Sequence, residues 1–376
     1  MKSWLFIERN LGKSMNYTHR RKEVFKRMKK SCANTLLVSN PINILYLTGF
    51  KSSNVFVLLT ENETFLFTDF RYEEVAREIC EKQKMRFILL NKKLSIILRN
   101  LIRKYKIKEI SFEADDLKVA TFNALKNGTK IKWKEAKPWI SDVRKNKDEN
   151  EIEITKKAVL VAEQGFKTIK KGEWIGLTEI EASDLLAEKI KIAGKKIGVR
   201  ATPSFDFIVA AGANAAVPHH EPNSTIIKEY DMLKIDWGAK VEDYCSDMTR
   251  TLYFGKPSSK FKKIYNTVLR ANKAAIKAVR PGITLKNIDA VAREIIAKAG
   301  FARNFGHGTG HGVGLEVHDG PGPSPRCITR TSKGMIITIE PGIYIPGWGG
   351  VRIEDMVLVT PKSGEVLTKN LPYAQI

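Results

Sequence analysis

Over residues 33–134, apolar runs of four or five residues alternate with longer stretches of helical periodicity. TLLV (35–38), VFVLL (55–59), TFLFT (64–68), RFILL (86–90) and EISFE (109–113) are rich in branched and aromatic side chains and read as strands. Residues 71–82, 93–105 and 116–127 carry the helical period. This alternation predicts a small α/β domain. A charged stretch, RKNKDENE (144–151), then leads into an amphipathic helix, which sets the domain boundary near 140–146. The expected domains are 16–141 and 146–376, with 1–15 as an extension and Met15 as an alternative start.

The second domain holds an internal repeat. TEIEASDLLAEKIKIAG (178–194) and TLKNIDAVAREIIAKAG (284–300) have equal length. Each opens on a threonine suited to cap a helix and closes on a glycine suited to end one. Glu188/Glu294, Ile190/Ile296 and Ala193/Ala299 align between them without a gap. A segment patterned as a β-hairpin follows each copy. These are MLKIDWGAKVEDYCSDMTRTLYFG (232–255) and MIITIEPGIYIPGWGGVRIEDMVLVT (335–360), the second turning at PGWGG (346–350). Asp236 lies 58 residues after Thr178, and Glu340 lies 56 after Thr284. The pattern is a helix-then-hairpin unit repeated about a pseudo-twofold.

The hairpins carry the candidate chemistry. Asp236 and Asp247 lie on the arms of the first, centred on Val241–Glu242. Glu340 and Glu354 lie on the arms of the second, centred on Gly347. Placement symmetric about a turn puts both acids of a pair at one level of the ladder. Facing carboxylates in a half-buried sheet repel, and their uncompensated burial is costly or forces protonation. Divalent cations remove that cost, and two would balance four carboxylates. Any one of these acids alone would read as a surface residue or a partner of Arg250 or Arg352. Four at matched positions do not.

GHGTGHGVGLEVH (306–318) contains three of the six histidines. His307 and His311 are four apart, but the interleaved glycines and the missing glutamate exclude a helical zinc motif. In extended form the glycines would line one face and allow close packing. His307, Thr309 and His311 would share the other. One imidazole can ligate and the others can line a substrate site. Carboxylates with one imidazole suit Mn²⁺, Co²⁺, Fe²⁺ or Zn²⁺.

Composition narrows the class further. A chain of 376 residues that is 43% hydrophobic can bury a sizeable core, yet no apolar run approaches a membrane span. The amino-terminal stretch has four consecutive apolar residues, too few for a secretory segment. Cys32, Cys80, Cys245 and Cys327 form no CxxC pair, which fits a reducing compartment. The chain is read as cytoplasmic. Its net charge is +23, and the first 145 residues hold 31 basic against 15 acidic residues, densest in RRKEVFKRMKK (20–30). Nucleic acid would suit that charge. A solvated basic helix face accounts for it as well, and no nucleic-acid motif is present, so nucleic acid is not an expected partner.

In IDWGAKVEDYCSDMTR, GTGHGVGLEVHDGP, TIEPGIY and GGVRIED the chain resembles the pita-bread metallopeptidases: aminopeptidase P, prolidase and methionine aminopeptidase. The first part resembles their creatinase-type amino-terminal domain, so the resemblance spans nearly the whole chain. It implies an α+β protein of two domains. The second would be a pseudo-twofold antiparallel sheet with covering helices. It implies two divalent ions, Mn²⁺ foremost. Asp236 would chelate one, Asp247 and Glu354 would bridge both, and His311 and Glu340 would complete the other's shell. His219 (in AAVPHHEP), His307 and His318 match substrate-binding and transition-state positions, and Arg352 matches a residue bonded into the metal carboxylates. His220 has no implied role. The implied mechanism is two-metal hydrolysis. His219 and His318 would stabilise the oxyanion, Glu340 would shuttle the proton, and His307 would border the pocket after the scissile bond. A homodimer acting on proline-containing peptides is also implied.

Within that family, methionine aminopeptidases usually lack such an amino-terminal domain, and creatinases lack the metal ligands. Xaa-Pro specificity is left. Family dipeptidases often carry an arginine four residues after the last motif histidine, where Gly322 stands in HDGPGPSPR, and Arg326 and Arg330 are out of register. Xaa-Pro aminopeptidase is therefore preferred over Xaa-Pro dipeptidase (prolidase). A non-catalytic pita-bread module binding peptides or nucleoproteins is the remoter alternative, and such modules typically lose metal ligands.

Overall fold

A computed structural model describes residues 15–373. The proposed extension before Met15 lies outside the described residues. The chain divides after Arg144 into two compact units.

The first unit is built on a six-stranded mixed sheet: β1 (Thr35–Val38), β2 (Val55–Thr60), β3 (Thr64–Thr68), β4 (Arg86–Leu89), β5 (Glu109–Phe112) and β6 (Lys132–Glu135), in the order β4-β3-β2-β1-β5-β6. Its helices are α1 (Tyr17–Lys30), α2 (Pro41–Thr48), α3 (Glu73–Lys82), α4 (Leu94–Lys104), α5 (Val119–Thr129) and α6 (Trp139–Arg144). The apolar alternation locates the first five strands and α3 to α5. It does not show β6, whose KWKE sequence has one apolar residue. Trp133 anchors that edge strand, packing edge-on to Phe112 and Phe122 at 6.0 Å. The basic stretch 20–30 lies in α1. Arg20 and Arg21 are buried and donate to the Tyr46 and Leu47 carbonyls, which satisfies the C-terminal end of α2. Lys22, Lys26, Lys29 and Lys30 are exposed. Part of the basic patch is thus scaffold and part is solvated surface.

In the second unit, helices α7 (Glu149–Lys167), α8 (Glu179–Lys196), α9 (Ser259–Ala278) and α10 (Leu285–Lys298) cover short antiparallel strands. These are β7 (Ala201–Pro203), β8 (Ile208–Ala211), β9 (Met232–Trp237), β10 (Ala239–Val241), β11 (Tyr244–Cys245) and β12 (Met248–Tyr253). Then follow β13 (Ile336–Ile339), β14 (Gly342–Ile345), β15 (Gly349–Arg352), β16 (Asp355–Val359) and β17 (Gly364–Val366). The repeat is visible in the caps: Thr178 accepts from the Glu181 amide and Thr284 from the Asn287 amide. It extends to matching bridges, Thr178 to Ile226 and Thr284 to Arg330. The helix ends differ from the expected pattern. Gly300 follows α10 with φ +90, as a terminating glycine should, but Gly194 stays inside α8. There its bare Cα lets Ala201 pack against the helix, and Gly198, at φ +75, makes the turn.

Apolar packing sets the hairpins in place. α9 lays Phe261, Ile264, Val268, Ala271 and Ala275 at helical spacing against the core formed with Ile337, Ile343, Val351 and Val357. Each large side chain so buried contributes about 2 kcal/mol. On the first hairpin, Trp237 stacks on Phe166 of α7 at 4.3 Å and donates to the Ala162 carbonyl.

The two hairpins differ in register. The first turns at Glu242 and Asp243, at φ 46 and 73, one residue later than the expected centre. Asp236 therefore pairs with Thr249, and Asp247 is its diagonal neighbour on the same face rather than its opposite. The second hairpin keeps the expected centre. Ile339 pairs with Asp355 and Gly342 with Arg352, which leaves Glu340 and Glu354 opposite each other in the gap between two ladders.

Candidate active site

Four carboxylates and one imidazole meet where the hairpins join. Ligand atoms of Asp247, His311 and Glu354 all lie within 4.8 Å of one another. His311 Nε2 is 3.4 Å from both Asp247 Oδ2 and Glu340 Oε1. Arg352 reaches in from β15 and donates from Nη2 to Asp236 Oδ2 at 2.5 Å.

Each acid is held by a specific neighbour. The Glu354 amide donates to the Thr249 carbonyl at 3.1 Å, and its carboxylate accepts from the Thr249 hydroxyl at 2.7 Å. That hydroxyl accepts in turn from Arg352 Nε at 3.0 Å. Thr338 donates to Glu340 at 3.2 Å and accepts from the His311 amide at 3.0 Å. At the ladder gap the carbonyls of Ile339 and Ile353 lose strand partners. Asn272 of α9 supplies both, at 2.9 and 3.3 Å.

The histidine-glycine segment forms no regular strand, but it runs alongside β13. Thr338 and Glu340 donate their amides to the His311 and Thr309 carbonyls at 2.8 and 2.7 Å. A Cβ at Gly310 would strike the Thr338 carbonyl, and one at Gly312 the Asp319 carbonyl. Close approach is thus the glycines' function here. Thr309 departs from expectation. Its hydroxyl and amide are both committed to Asp289 of α10, at 2.8 and 3.0 Å, so it is a tether and does not join the two histidines.

The donor set fits a divalent cation. Asp236 Oδ1, Asp247 Oδ1 and Glu354 Oε1 are buried without a hydrogen-bond donor, an arrangement folded proteins rarely tolerate. Burial and the charge of Asp236 push Asp247 up to about 7. Burial and the charges of Asp247 and Glu340 push Glu354 well above the usual carboxylate range. His311 directs Nδ1 to the Gly312 carbonyl at 3.1 Å, which leaves Nε2 aimed at the carboxylates, as in metal-ligating histidines. Burial opposes protonation of His311, but the Asp247 hydrogen bond and the Glu340 charge outweigh it and raise the imidazole to about 9. Without a cation, burial and mutual repulsion favour the protonated forms of Asp247 and Glu354, and Asp247 and Glu340 favour that of His311.

Three more histidines surround this cluster. His307 donates from Nδ1 to the Gly308 carbonyl at 2.7 Å, so Nε2 accepts from the Tyr344 hydroxyl at 3.0 Å. Burial lowers its pKa. The His318 ring lies 4.1 Å from that of His311, and burial together with that neighbour lowers its pKa as well. His219 is exposed, close enough for its charge to act on both. His220 turns elsewhere and pairs with the buried Glu179 at 2.7 Å. Glu179, Lys234, Asn272 and Tyr344 escape sequence reasoning. Lys234 alone leaves a signal, a lysine within the apolar strand MLKIDW.

Comparison with known proteins agrees with this architecture. The model of Metallopeptidase family M24 matches residues 153–361, and that of the Creatinase/Prolidase N-terminal domain matches residues 20–145. The chain is 36% identical over 350 residues to an Xaa-Pro dipeptidase of Pyrococcus horikoshii, covering 93% of this chain and 96% of that protein. A solved Xaa-Pro dipeptidase from Bacillus anthracis superposes with a TM-score of 0.89 at 33% identity, covering 96% of this chain and 99% of that one. An X-Pro aminopeptidase from Thermotoga maritima gives 0.81 at 31% identity, covering 93% and 100%. No helix among the described residues is long and apolar enough to cross a membrane.

Proposed function

Since the chain belongs to metallopeptidase family M24, we propose that it is an Xaa-Pro peptidase, and specifically an Xaa-Pro dipeptidase. The observation that carries the reading is the cluster of Asp247, His311 and Glu354, whose ligand atoms lie within 4.8 Å of one another, together with buried, donorless oxygens on Asp236, Asp247 and Glu354. Relatives named Xaa-Pro dipeptidase support the choice of substrate.

The sequence-based preference for an aminopeptidase rested on Gly322, and packing accounts for that glycine. A Cβ there would collide with the His311 Cα and the Gly310 carbonyl, so no side chain of any kind fits. Packing thus gives a reason for the glycine that is independent of the substrate's carboxyl end. Arg330 is engaged elsewhere, donating to the Gly282 carbonyl.

In this reading Asp236, Asp247, His311, Glu340 and Glu354 hold two divalent ions, Mn²⁺ foremost. When bound, the ions supply an activated water and Lewis-acid polarisation of the scissile carbonyl. Glu340, the least buried of the four acids, passes the proton to the leaving amine. His219 and His318 donate to the developing oxyanion. His307, fixed by Tyr344, borders the residue after the scissile bond. Arg352 holds Asp236 in place. A homodimer in the cytoplasm completes the reading, supported by the family resemblance and four unpaired cysteines. The intact set of acids argues against a non-catalytic binding module.

The test is hydrolysis of matched Xaa-Pro, Xaa-Pro-Yaa and Xaa-Ala-Yaa peptides by Mn²⁺-loaded protein. Preference for the dipeptide is expected. Cleavage confined to the proline tripeptide would make it an aminopeptidase. No cleavage of any would overturn both.

A further inference from the structure

We propose that Lys234 is a positioning residue for His219, acting through the backbone of the loop that carries it. The proposal rests on the reading above, in which His219 contacts substrate.

Lys234 is fully buried in the middle of β9, paired to Thr251 of β12 on one side and Ala210 of β8 on the other. It lies two residues before Asp236, on the same face of the strand. No carboxylate among the described residues forms an ion pair with it. Its amino nitrogen meets three carbonyl oxygens instead, Val217 at 2.5 Å and Ala215 and Pro218 at 3.3 Å, with the Tyr344 ring centre 5.3 Å away. Burying a polar nitrogen in the middle of a strand is costly, and an apolar residue would suit the strand. What Lys234 contributes is therefore to be found in the loop.

That loop runs from the turn at Gly212–Ala216 through Val217 and Pro218 to His219. The Pro218 carbonyl accepts from Lys234 and also from Arg352 Nη1 at 3.1 Å. A carbonyl and the amide that follows it share one rigid plane. Two donors on the Pro218 oxygen therefore fix the peptide from which His219 departs. The base of the loop is tied separately by the buried Glu179, which binds the Ala211 amide, Asn214, His220 and the Asn223 amide at 2.8, 2.9, 2.7 and 3.1 Å. Glu179 holds the loop to α8, while Lys234 governs the residues immediately before the exposed imidazole.

The test is a double-mutant cycle of Lys234→Met and His219→Ala in Mn²⁺-loaded protein, assayed on an Xaa-Pro dipeptide with metal content and thermal midpoint measured alongside. Lys234→Met should lower kcat/KM about ten- to a hundredfold with metal content unchanged. With His219 already alanine, the same change should cost less than about threefold, as a coupled pair requires. Equal losses in both backgrounds, or no loss in the wild type, would overturn the proposal. Should Lys234→Met fail to fold, Lys234→Arg carries the same comparison. A His219→Ala variant with full activity, or a wild-type protein inactive on Xaa-Pro, would remove the underlying reading and the proposal with it. Each is read from a single corner of the cycle, the wild type or His219→Ala alone, whereas the proposal is read from the coupling between corners.

Discussion

Thr249 binds Glu354 twice, through its carbonyl to the amide and through its hydroxyl to the carboxylate. One residue of the first hairpin thereby orients an acid of the second. The same hydroxyl meets Arg352, so two side chains of the second hairpin depend on it.

Thr249→Val keeps the shape and removes the hydroxyl. Supporting partners of metal ligands typically carry ten- to a hundredfold in affinity. The variant should need at least about tenfold more Mn²⁺ for half-maximal activity, with its thermal midpoint in excess metal near that of the wild type. Titration of activity against free Mn²⁺ measures this.

The metal-free protein should lose stability as pH rises. Asp247 is raised from 3.8 to about 7, so between those values the folded state keeps a proton that the unfolded state has lost. His311 is raised from 6.5 to about 9 and so stabilises fully below 6.5 and progressively less up to about 9. Both contributions fall with increasing pH. Metal binding has the opposite slope, because the ligands must be deprotonated. Thermal melts across this range, with chelator and with Mn²⁺, should diverge as pH rises.

Tyr344→Phe removes the hydroxyl that joins His307 to Arg352. His307 loses the partner that fixes its ring. KM for the dipeptide should rise about fivefold, the equivalent of about 1 kcal/mol for one hydrogen bond. Metal content should be unchanged, and steady-state kinetics with elemental analysis checks both.

Gly310→Ala places a methyl group against the Thr338 carbonyl. Overpacking of this kind costs about 1–3 kcal/mol. Because Thr338 also binds Glu340 and His311, the variant should melt lower and bind Mn²⁺ more weakly.

Much of this site is legible in the chain, for identifiable reasons. PGWGG marks the second turn with proline and glycine, so Glu340 and Glu354 read correctly as opposites. VEDY marks the first turn weakly. Glu242 and Asp243 adopt positive φ without a glycine, and the centre reads one residue early. Parity still puts Asp236 and Asp247 on one face, so the shift does not separate them. β6 is obscured by its charged residues, and Gly194 by its resemblance to a terminating glycine. Asn272 is not legible because its partners are backbone carbonyls on distant segments, and a carbonyl has no signature in sequence. Lys234 shows as a lysine in an apolar strand, but its carbonyl partners do not show. Thr249 reads as an ordinary strand residue because Glu354 and Arg352 lie more than a hundred residues away.

The central claim is that the carboxylate cluster holds the metal that hydrolyses an Xaa-Pro bond. Its most direct test is proline release from an Xaa-Pro dipeptide by chelator-stripped protein, before and after addition of Mn²⁺, for the wild type and Asp247→Asn. The account predicts no activity in the stripped wild type, recovery with Mn²⁺, and no recovery in Asp247→Asn. Activity in the stripped protein, or equal recovery in the variant, would contradict it.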